Sequence, residues 1–228
     1  MMSSTWGVVI ASGKSEKFGA DFDTAFLNVL SRPALTYALE RYEQSPDIEG
    51  VIVVAPKDRV DNLRGMVHVF GYNKVRTVVA GTSQRQTSVL AGLDALDESV
   101  GYVSIHDGSR PCLSANDIAE TLKSAKRYGS GVLALRLVDS VKTTKKGSNV
   151  AKPVDGDTLW IVQTPQAYKV ELIRKGLEAA QKKKISIEDD SEALSLIGEE
   201  VRLVEADGPR VKISGAADMN MAELLLRH

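Results

Sequence analysis

The sequence predicts a single α/β domain built on a mostly parallel sheet flanked by helices. Three observations carry that expectation. Short apolar runs of strand length alternate with stretches whose apolar residues recur at helical spacing, the order of a largely parallel sheet. Several of those runs end in small, polar or charged residues, where an α/β sheet places its ligands. No repeat, low-complexity tract or long Gly/Ser linker interrupts the 228 residues, so 1–228 reads as one domain.

Trp6 to Ala11 is the first apolar strand. Pro33 to Glu43 follows as a helix, with Leu35, Ala38, Leu39 and Tyr42 on one face. Val51 to Val54 is the next strand, ended by Pro56, and Val75 to Ala80 the third. A helix carrying Val89, Leu93 and Leu96 leads to a fourth strand, Tyr102 to Ile105. Ser114 has the chemistry of an N-cap for a helix bearing Ile118, Leu122 and Ala125. Gly131 to Leu137 is the fifth strand. Between Asp139 and Pro153 a polar tip, turning at Lys146-Gly147-Ser148, separates two extended segments, which reads as a projecting β-arm or else a solvated loop. Val170 to Gln181 and Asp189 to Ile197 read as helices, Val201 to Val204 as a strand, and Ala216 to Leu226 as the closing helix.

Composition narrows the function classes. Hydrophobic residues at 43% and charged residues at 26% are ordinary for a soluble globular chain. With 29 basic against 30 acidic residues, a bulk nucleic-acid binder is not expected. A single cysteine, Cys112, excludes an intrachain disulfide, and three histidines argue against a histidine-rich metal site. No apolar run approaches the roughly 20 residues needed to span a bilayer, and no signal peptide precedes Trp6, so the cytoplasm is the expected compartment.

The most informative segment is Val103 to Pro111, an apolar strand ending in Asp107, Gly108, Ser109 and Arg110. A carboxylate at a strand's carboxyl end can hold a hard cation through oxygen, and a nearby arginine can meet phosphate or steady the carboxylate. Asp-Gly-Ser is also ordinary turn chemistry. After the first strand, Ala11 to Gly19 combines small residues with Lys14 and Lys17, a pattern that suits phosphate or a flexible solvated loop. It is not a Walker loop, because Gly7 lies one residue too far from Gly13-Lys14-Ser15 and opens the strand instead.

Five segments in order extend the argument: the first strand with Ser12-Gly13; Ala80-Gly81 with Arg85 to Val89; Ile105 to Leu113; Val138 to Lys142; and Leu159-Trp160 with Gln163-Thr164-Pro165-Gln166. Together with Val211-Lys212-Ile213 they resemble the cytidylyltransferases acting on methylerythritol phosphate, and their ribitol-phosphate relatives, over nearly the whole chain. The resemblance implies a Rossmann-like fold of nucleotide-diphospho-sugar transferase type. It implies Mg²⁺-assisted transfer of a cytidylyl group from CTP to a polyol phosphate, with pyrophosphate released. In that frame Asp107 would bind Mg²⁺, and Lys17 and Lys212 would join it in catalysis. Ala11, Ser12, Gly13, Gly81, Arg85, Ser88 and Ser109 would hold the nucleotide, and Ser140, Arg110, Thr164 and Lys212 the acceptor. The resemblance further implies a homodimer in which the 139–153 arm of one subunit reaches the other.

The chain departs from the family pattern at three places. Ile10 replaces a proline, Asp23-Thr24 stands where proline-lysine is expected, and Gly156 stands where an arginine meets the sugar phosphate. Losing one transition-state donor commonly costs about 2.7–4 kcal/mol, and Asp23 adds a negative charge near a triphosphate. Acceptor identity and competence therefore stay open, as does a non-catalytic descendant that binds a nucleotide or a partner. Four further features have plain readings. Lys182 to Lys184 is a solvated helix end, Trp160 is core, His106 packs or hydrogen-bonds, and Glu188-Asp189-Asp190 caps the next helix.

Overall fold

The computed structural model of the chain describes residues 3–12, 23–145 and 147–227. Eleven strands are assigned within them: β1 Ser4–Ile10, β2 Asn28–Val29, β3 Arg32–Pro33, β4 Gly50–Ala55, β5 Val75–Ala80, β6 Val100–Asp107, β7 Ser130–Arg136, β8 Lys142–Thr144, β9 Val150–Pro153, β10 Trp160–Lys169 and β11 Leu203–Glu205. The helices are α1 Ala34–Gln44, α2 Val60–Phe70, α3 Arg85–Asp94, α4 Ala115–Tyr128, α5 Val170–Lys183, α6 Ser191–Ser195 and α7 Ala216–Leu226.

Seven strands form one sheet in the order β11-β7-β10-β6-β1-β4-β5. The pairs β1–β4, β1–β6, β4–β5 and β7–β11 are parallel, and β10 alone runs antiparallel to both its neighbours. All six residues of β4 are buried, as expected for a strand covered on both faces. Alternation along the strands sends side chains to two separate cores. Val9, Val51 and Val53 pack with Leu35, Leu39, Leu63, Ile118 and Leu122 from α1, α2 and α4. Val8, Ile52 and Val54 pack with Val89, Leu93, Ile173, Leu177 and Leu194 from α3, α5 and α6. The mostly parallel, helix-flanked sheet read from the sequence is thus present. Ser114 caps α4 in a full capping box with Asp117.

The arm is a hairpin. Lys142 faces Pro153 and Thr143 faces Lys152 across β8 and β9, with Gly147 at φ 73° in the turn. Four elements escaped the sequence reading: the two-residue strands β2 and β3, helix α2 and strand β10. In α2 only Leu63 is fully buried, so its apolar stripe is thin. In β10 the embedded Pro165 argues against a central strand; the chain accommodates it where the β7–β10 register shifts between Val162 and Gln166. Two other boundaries shrink, the 189–197 helix to Ser191–Ser195 and the 201–204 strand to Leu203–Glu205. Among the described residues no helix is long and apolar enough to cross a membrane.

Candidate active site

Strand β6 delivers Asp107 to its own carboxyl end, beside the carboxyl ends of β1, β4 and β5, where an α/β sheet binds ligands. Cross-strand backbone bonds fix the exits of these strands. Ala11 N donates to Val54 O at 2.7 Å, Gly81 N to Ala55 O at 2.7 Å, and Gly108 N to Ile10 O at 2.8 Å. Asp107 is 4% exposed and meets three cations. Arg85 Nη1 lies 2.5 Å from Oδ1, while Arg110 Nε and Lys212 Nζ each lie 3.1 Å from Oδ2. Burial works against its charge, but Arg85 first, then Lys212 and Arg110, outweigh it and hold the carboxyl well below the usual carboxylate range. The site therefore presents a carboxylate whose charged form its three cationic partners favour.

A hydroxyl relay fixes the Asp107 backbone from behind. Asp107 N donates to Thr164 Oγ1 at 3.1 Å, Thr164 Oγ1 lies 3.0 Å from His106 Nδ1, and His106 Nε2 lies 3.0 Å from Arg110 O. The arrangement is satisfied by a neutral imidazole with its proton on Nε2. Burial, opposed by the Arg110 carbonyl, pushes the His106 pKa down to about 4, consistent with that form. His106 is thus the buried hydrogen-bonding residue the sequence suggested. Lys212 is placed by a second clamp. Arg210, 8% exposed, holds Asp117 through Nε at 2.5 Å and Nη2 at 2.9 Å, and its carbonyl accepts from Arg110 Nη1 at 2.5 Å. Ile213 N then donates to Ser109 O at 2.9 Å, so Lys212 is bracketed on both sides.

Two cavities meet on this group. One of about 440 Å³ is lined by Arg110, Trp160, Thr164, Gln166 and Asp189, the other of about 250 Å³ by Ser12, Thr24, Ser83, Ser109 and Ser214. Arg85, Asp107, Glu188 and Lys212 line both. A third pocket of about 170 Å³ opens beside the second, between Ser12, Asp23, Pro56 and Gly81. The arrangement can therefore seat two anionic molecules end to end, with two carboxylates, one arginine and one lysine common to both.

Most of the expected site residues converge here. Ser12 and Gly81 line the small pocket, and Ala11 is fully buried beneath it. Ser88 is fully buried; its hydroxyl accepts from Ser12 Oγ at 3.0 Å and Thr82 N at 2.9 Å, tying the β1 and β5 exits together. A Cβ on Gly81 would come within 2.8 Å of both serine hydroxyls, so the close approach excludes a side chain there. Arg85 does not line the small pocket but stands at the junction of the two larger ones. Asp23 faces the small pocket with Arg59 Nε 3.9 Å from its carboxylate. Ser140 is exposed on the arm and joins neither cavity. Gly13, Lys14 and Lys17 lie outside the described residues.

Two sequence readings are corrected. Trp160 is not core: it is half-buried on the wall of the larger cavity, with the Arg136 guanidinium 4.4 Å from its ring centroid. Asp190 makes no side-chain cap; it is fully buried and grips Arg85 at 3.1 and 2.8 Å. Asp189 does assist the helix start, accepting from Ser191 N at 2.7 Å. Arg210 went unread, and its only signal was its position two residues before Lys212.

No three His, Cys, Asp or Glu side chains gather as a cation cage among the described residues. Mg²⁺ is ordinarily held by one or two carboxylates together with substrate phosphates and waters. Asp107, a hard and ionised oxygen donor at the cavity junction, fits as a single protein ligand of that kind, and Lys212, half-exposed, is the partner most able to turn aside.

Comparison with known proteins places this geometry. The family model described as IspD: 2-C-methyl-D-erythritol 4-phosphate cytidylyltransferase matches residues 6–228. Proteins of that name from Desulforamulus reducens and Geobacter metallireducens are each 33% identical to the chain, over 99% of this chain and 97% of the first, and 98% of both for the second. The solved 2-C-methyl-D-erythritol 4-phosphate cytidylyltransferase of Thermus thermophilus is 28% identical with a TM-score of 0.78, covering 97% of this chain and 98% of that one. The 4-diphosphocytidyl-2C-methyl-D-erythritol synthase of Anaerococcus prevotii shares the fold at a TM-score of 0.87 and 24% identity, covering 99% of both chains.

Proposed function

The chain belongs to the 2-C-methyl-D-erythritol 4-phosphate cytidylyltransferase family, and from that membership and its paired cavities we propose that it transfers a cytidylyl group from CTP to 2-C-methyl-D-erythritol 4-phosphate, releasing pyrophosphate, a step of isoprenoid precursor synthesis. One observation carries the reading: two cavities of about 440 and 250 Å³ share Asp107, Arg85 and Lys212 at the carboxyl edge of the sheet. Transfer of this kind asks the protein for alignment and charge rather than covalent chemistry. The smaller cavity and its side pocket take the nucleotide, and the larger takes the polyol phosphate. An acceptor phosphate oxygen attacks the α-phosphorus, and the bond to the leaving pyrophosphate breaks. Lys212 and Arg110 neutralise phosphate charge where the two substrates meet, Thr164 orients Asp107, and Ser88 keeps the nucleotide-side loops closed on each other. Asp107 would hold Mg²⁺, which, when bound, spreads the negative charge of the reacting phosphates. Lys14 and Lys17 are the sequence's candidates for the charge of the lysine missing at Thr24, and Lys57 lines the small pocket beside Asp23.

The arm extends this proposal to a homodimer. Val138 is 95% exposed and Val150 60%, an apolar surface suited to a second copy, to whose site Ser140 and Lys142 would be brought. A monomer by light scattering at micromolar concentration would remove that part. The activity itself is tested by pyrophosphate release from CTP and Mg²⁺ over a panel of polyol phosphates, with ATP as control. Turnover selective for CTP and methylerythritol phosphate supports the proposal, and no release with any acceptor overturns it. Gly156 motivates a second reading, a different acceptor, because it offers no side chain while nothing lies within 4 Å of a Cβ built there. Turnover of ribitol 5-phosphate in preference would establish that alternative.

A further inference from the structure

Within Glu188-Asp189-Asp190, the last carboxylate stands outside the reaction as proposed. Asp190 is fully buried and lines neither cavity, so it cannot touch a substrate. Yet both its oxygens are engaged by the one arginine that lines both cavities: Arg85 Nε meets Oδ1 at 3.1 Å, and Arg85 Nη2 meets Oδ2 at 2.8 Å. The remaining arm of the same guanidinium, Nη1, meets Asp107 Oδ1 at 2.5 Å. A guanidinium is planar with its donors in a rigid fork, so fixing two nitrogens fixes the third. The orientation of the carboxylate at the cavity junction is therefore set, on its Oδ1 side, by a residue that acts through Arg85.

The segment bearing Asp190 is itself pinned. Ile187 N donates to Gln86 Oε1 at 3.2 Å, and Gln166 Nε2 donates to Asp189 Oδ2 at 3.2 Å. Tyr168 holds that glutamine through its Oε1 at 2.7 Å. Below, α6 presses on α5 so closely that a Cβ on Gly176 would come 2.5 Å from the Ala193 carbonyl oxygen. Stability alone is a poor reason for the pair, since a buried ion pair is often no more stabilising than apolar residues of the same volume.

We infer that Asp190 is a positioning residue for cytidylyl transfer, holding Arg85 so that Asp107 keeps one orientation between the two substrates. The inference rests on the proposed reading of the two cavities. Steady-state kinetics of the full chain with CTP, Mg²⁺ and the polyol phosphate test it, on wild type, Asp190→Asn, Asp190→Glu, Arg85→Lys and the double variant Asp190→Asn/Arg85→Lys. Misplacing a group by an ångström costs on the order of 100-fold, so Asp190→Asn should lower kcat by about that factor while KM for CTP stays within about twofold. Asp190→Glu should recover part of the loss, and the double variant should be no slower than Arg85→Lys alone, because the two residues act as one unit. Wild-type kcat in Asp190→Asn, or losses that multiply in the double variant, would overturn the inference. If Asp190→Asn does not fold by circular dichroism, Asp190→Glu decides, with wild-type kcat overturning and a lowered kcat at unchanged KM supporting. A wild-type chain that releases no pyrophosphate overturns the functional reading and removes this inference with it.

Discussion

Asp107 and the arm are built on opposite principles. Around Asp107, Arg85, Asp190, Arg110 and Lys212 interlock within a few ångströms, and Asp190 and Asp107 are nearly or fully buried. From Lys142 to Pro153 every described residue of the arm is exposed, and its two strands pair only with each other. A lone two-stranded hairpin is marginal in water. The junction therefore draws its order from within this chain, whereas the arm has little internal support beyond its own strand pair. The same contrast matches the proposed roles: the part proposed to hold a charge in place is buried, and the part proposed to meet a second copy carries little internal support.

The strongest way to break the contrast is to attack the clamp beneath Lys212. Replacing Arg210 by methionine in Arg210→Met leaves Asp117 buried, at 3% exposure, without its bidentate partner. Breaking a buried pair in this way costs about 3–5 kcal/mol, and denaturant unfolding should read that loss. The surface pair Arg136–Glu205, with side chains 60% and 55% exposed, is the control. Arg136→Met there should cost under about 1 kcal/mol. Equal losses at the two sites would abolish the distinction.

Next in size is Asp107→Asn, which keeps the shape and removes the charge that three cations share. Loss of one transition-state contact is worth about 3 kcal/mol, so pyrophosphate release should fall by roughly a hundredfold or more. A fall of less than tenfold would place the chemistry elsewhere than the cavity junction.

The third effect is a pH dependence of stability. His106 is fully buried, and burial lowers its pKa from 6.5 to about 4. Above pH 6.5 the imidazole is neutral in both folded and unfolded chains, and its contribution is fully present. Below that pH the unfolded chain takes up a proton that the folded chain refuses, so stability falls as pH drops from 6.5 toward 4. Between pH 6.5 and 5 the loss is on the order of 2 kcal/mol. Unfolding free energies across this range should show it, and His106→Gln, which cannot titrate, should flatten that part of the curve. An unchanged slope in the variant would assign the acid sensitivity to other groups.

How much of this could be read from the residues differs between the same two regions. Asp107 stands out locally as a carboxylate, with small residues and an arginine, at the end of an apolar strand. Ordinary turn chemistry also explains that pattern, and the other four family segments single it out. The hairpin was legible for the opposite reason, a polar tip between two short extended segments. Partnerships across the fold were not. Arg85 and Asp190 are 105 residues apart, and Arg210 and Asp117 are 93 apart, so neither pair leaves a local spacing to find. Asp190 had a persuasive local role as a helix cap, and the tertiary partner overrode it. Strand β10 was hidden by Pro165, which sequence rules correctly treat as hostile to a central strand, because the register shift that admits it exists only in the sheet.

The smallest expected effect sharpens the comparison from the arm's side. Replacing residues 142–153 by a short Gly/Ser turn removes no buried side chain from the described chain. At protein concentrations low enough to hold the chain monomeric, thermal unfolding should therefore shift by no more than about 0.5 kcal/mol. At high concentration the two forms should separate if the arm grips a second copy, because association adds stability by mass action and makes the melting temperature of the intact chain concentration-dependent. The excised form would melt at one temperature throughout. A large loss at low concentration would mean that the arm supports its own subunit, and the division between a self-ordered junction and a partner-ordered arm would fail at that point.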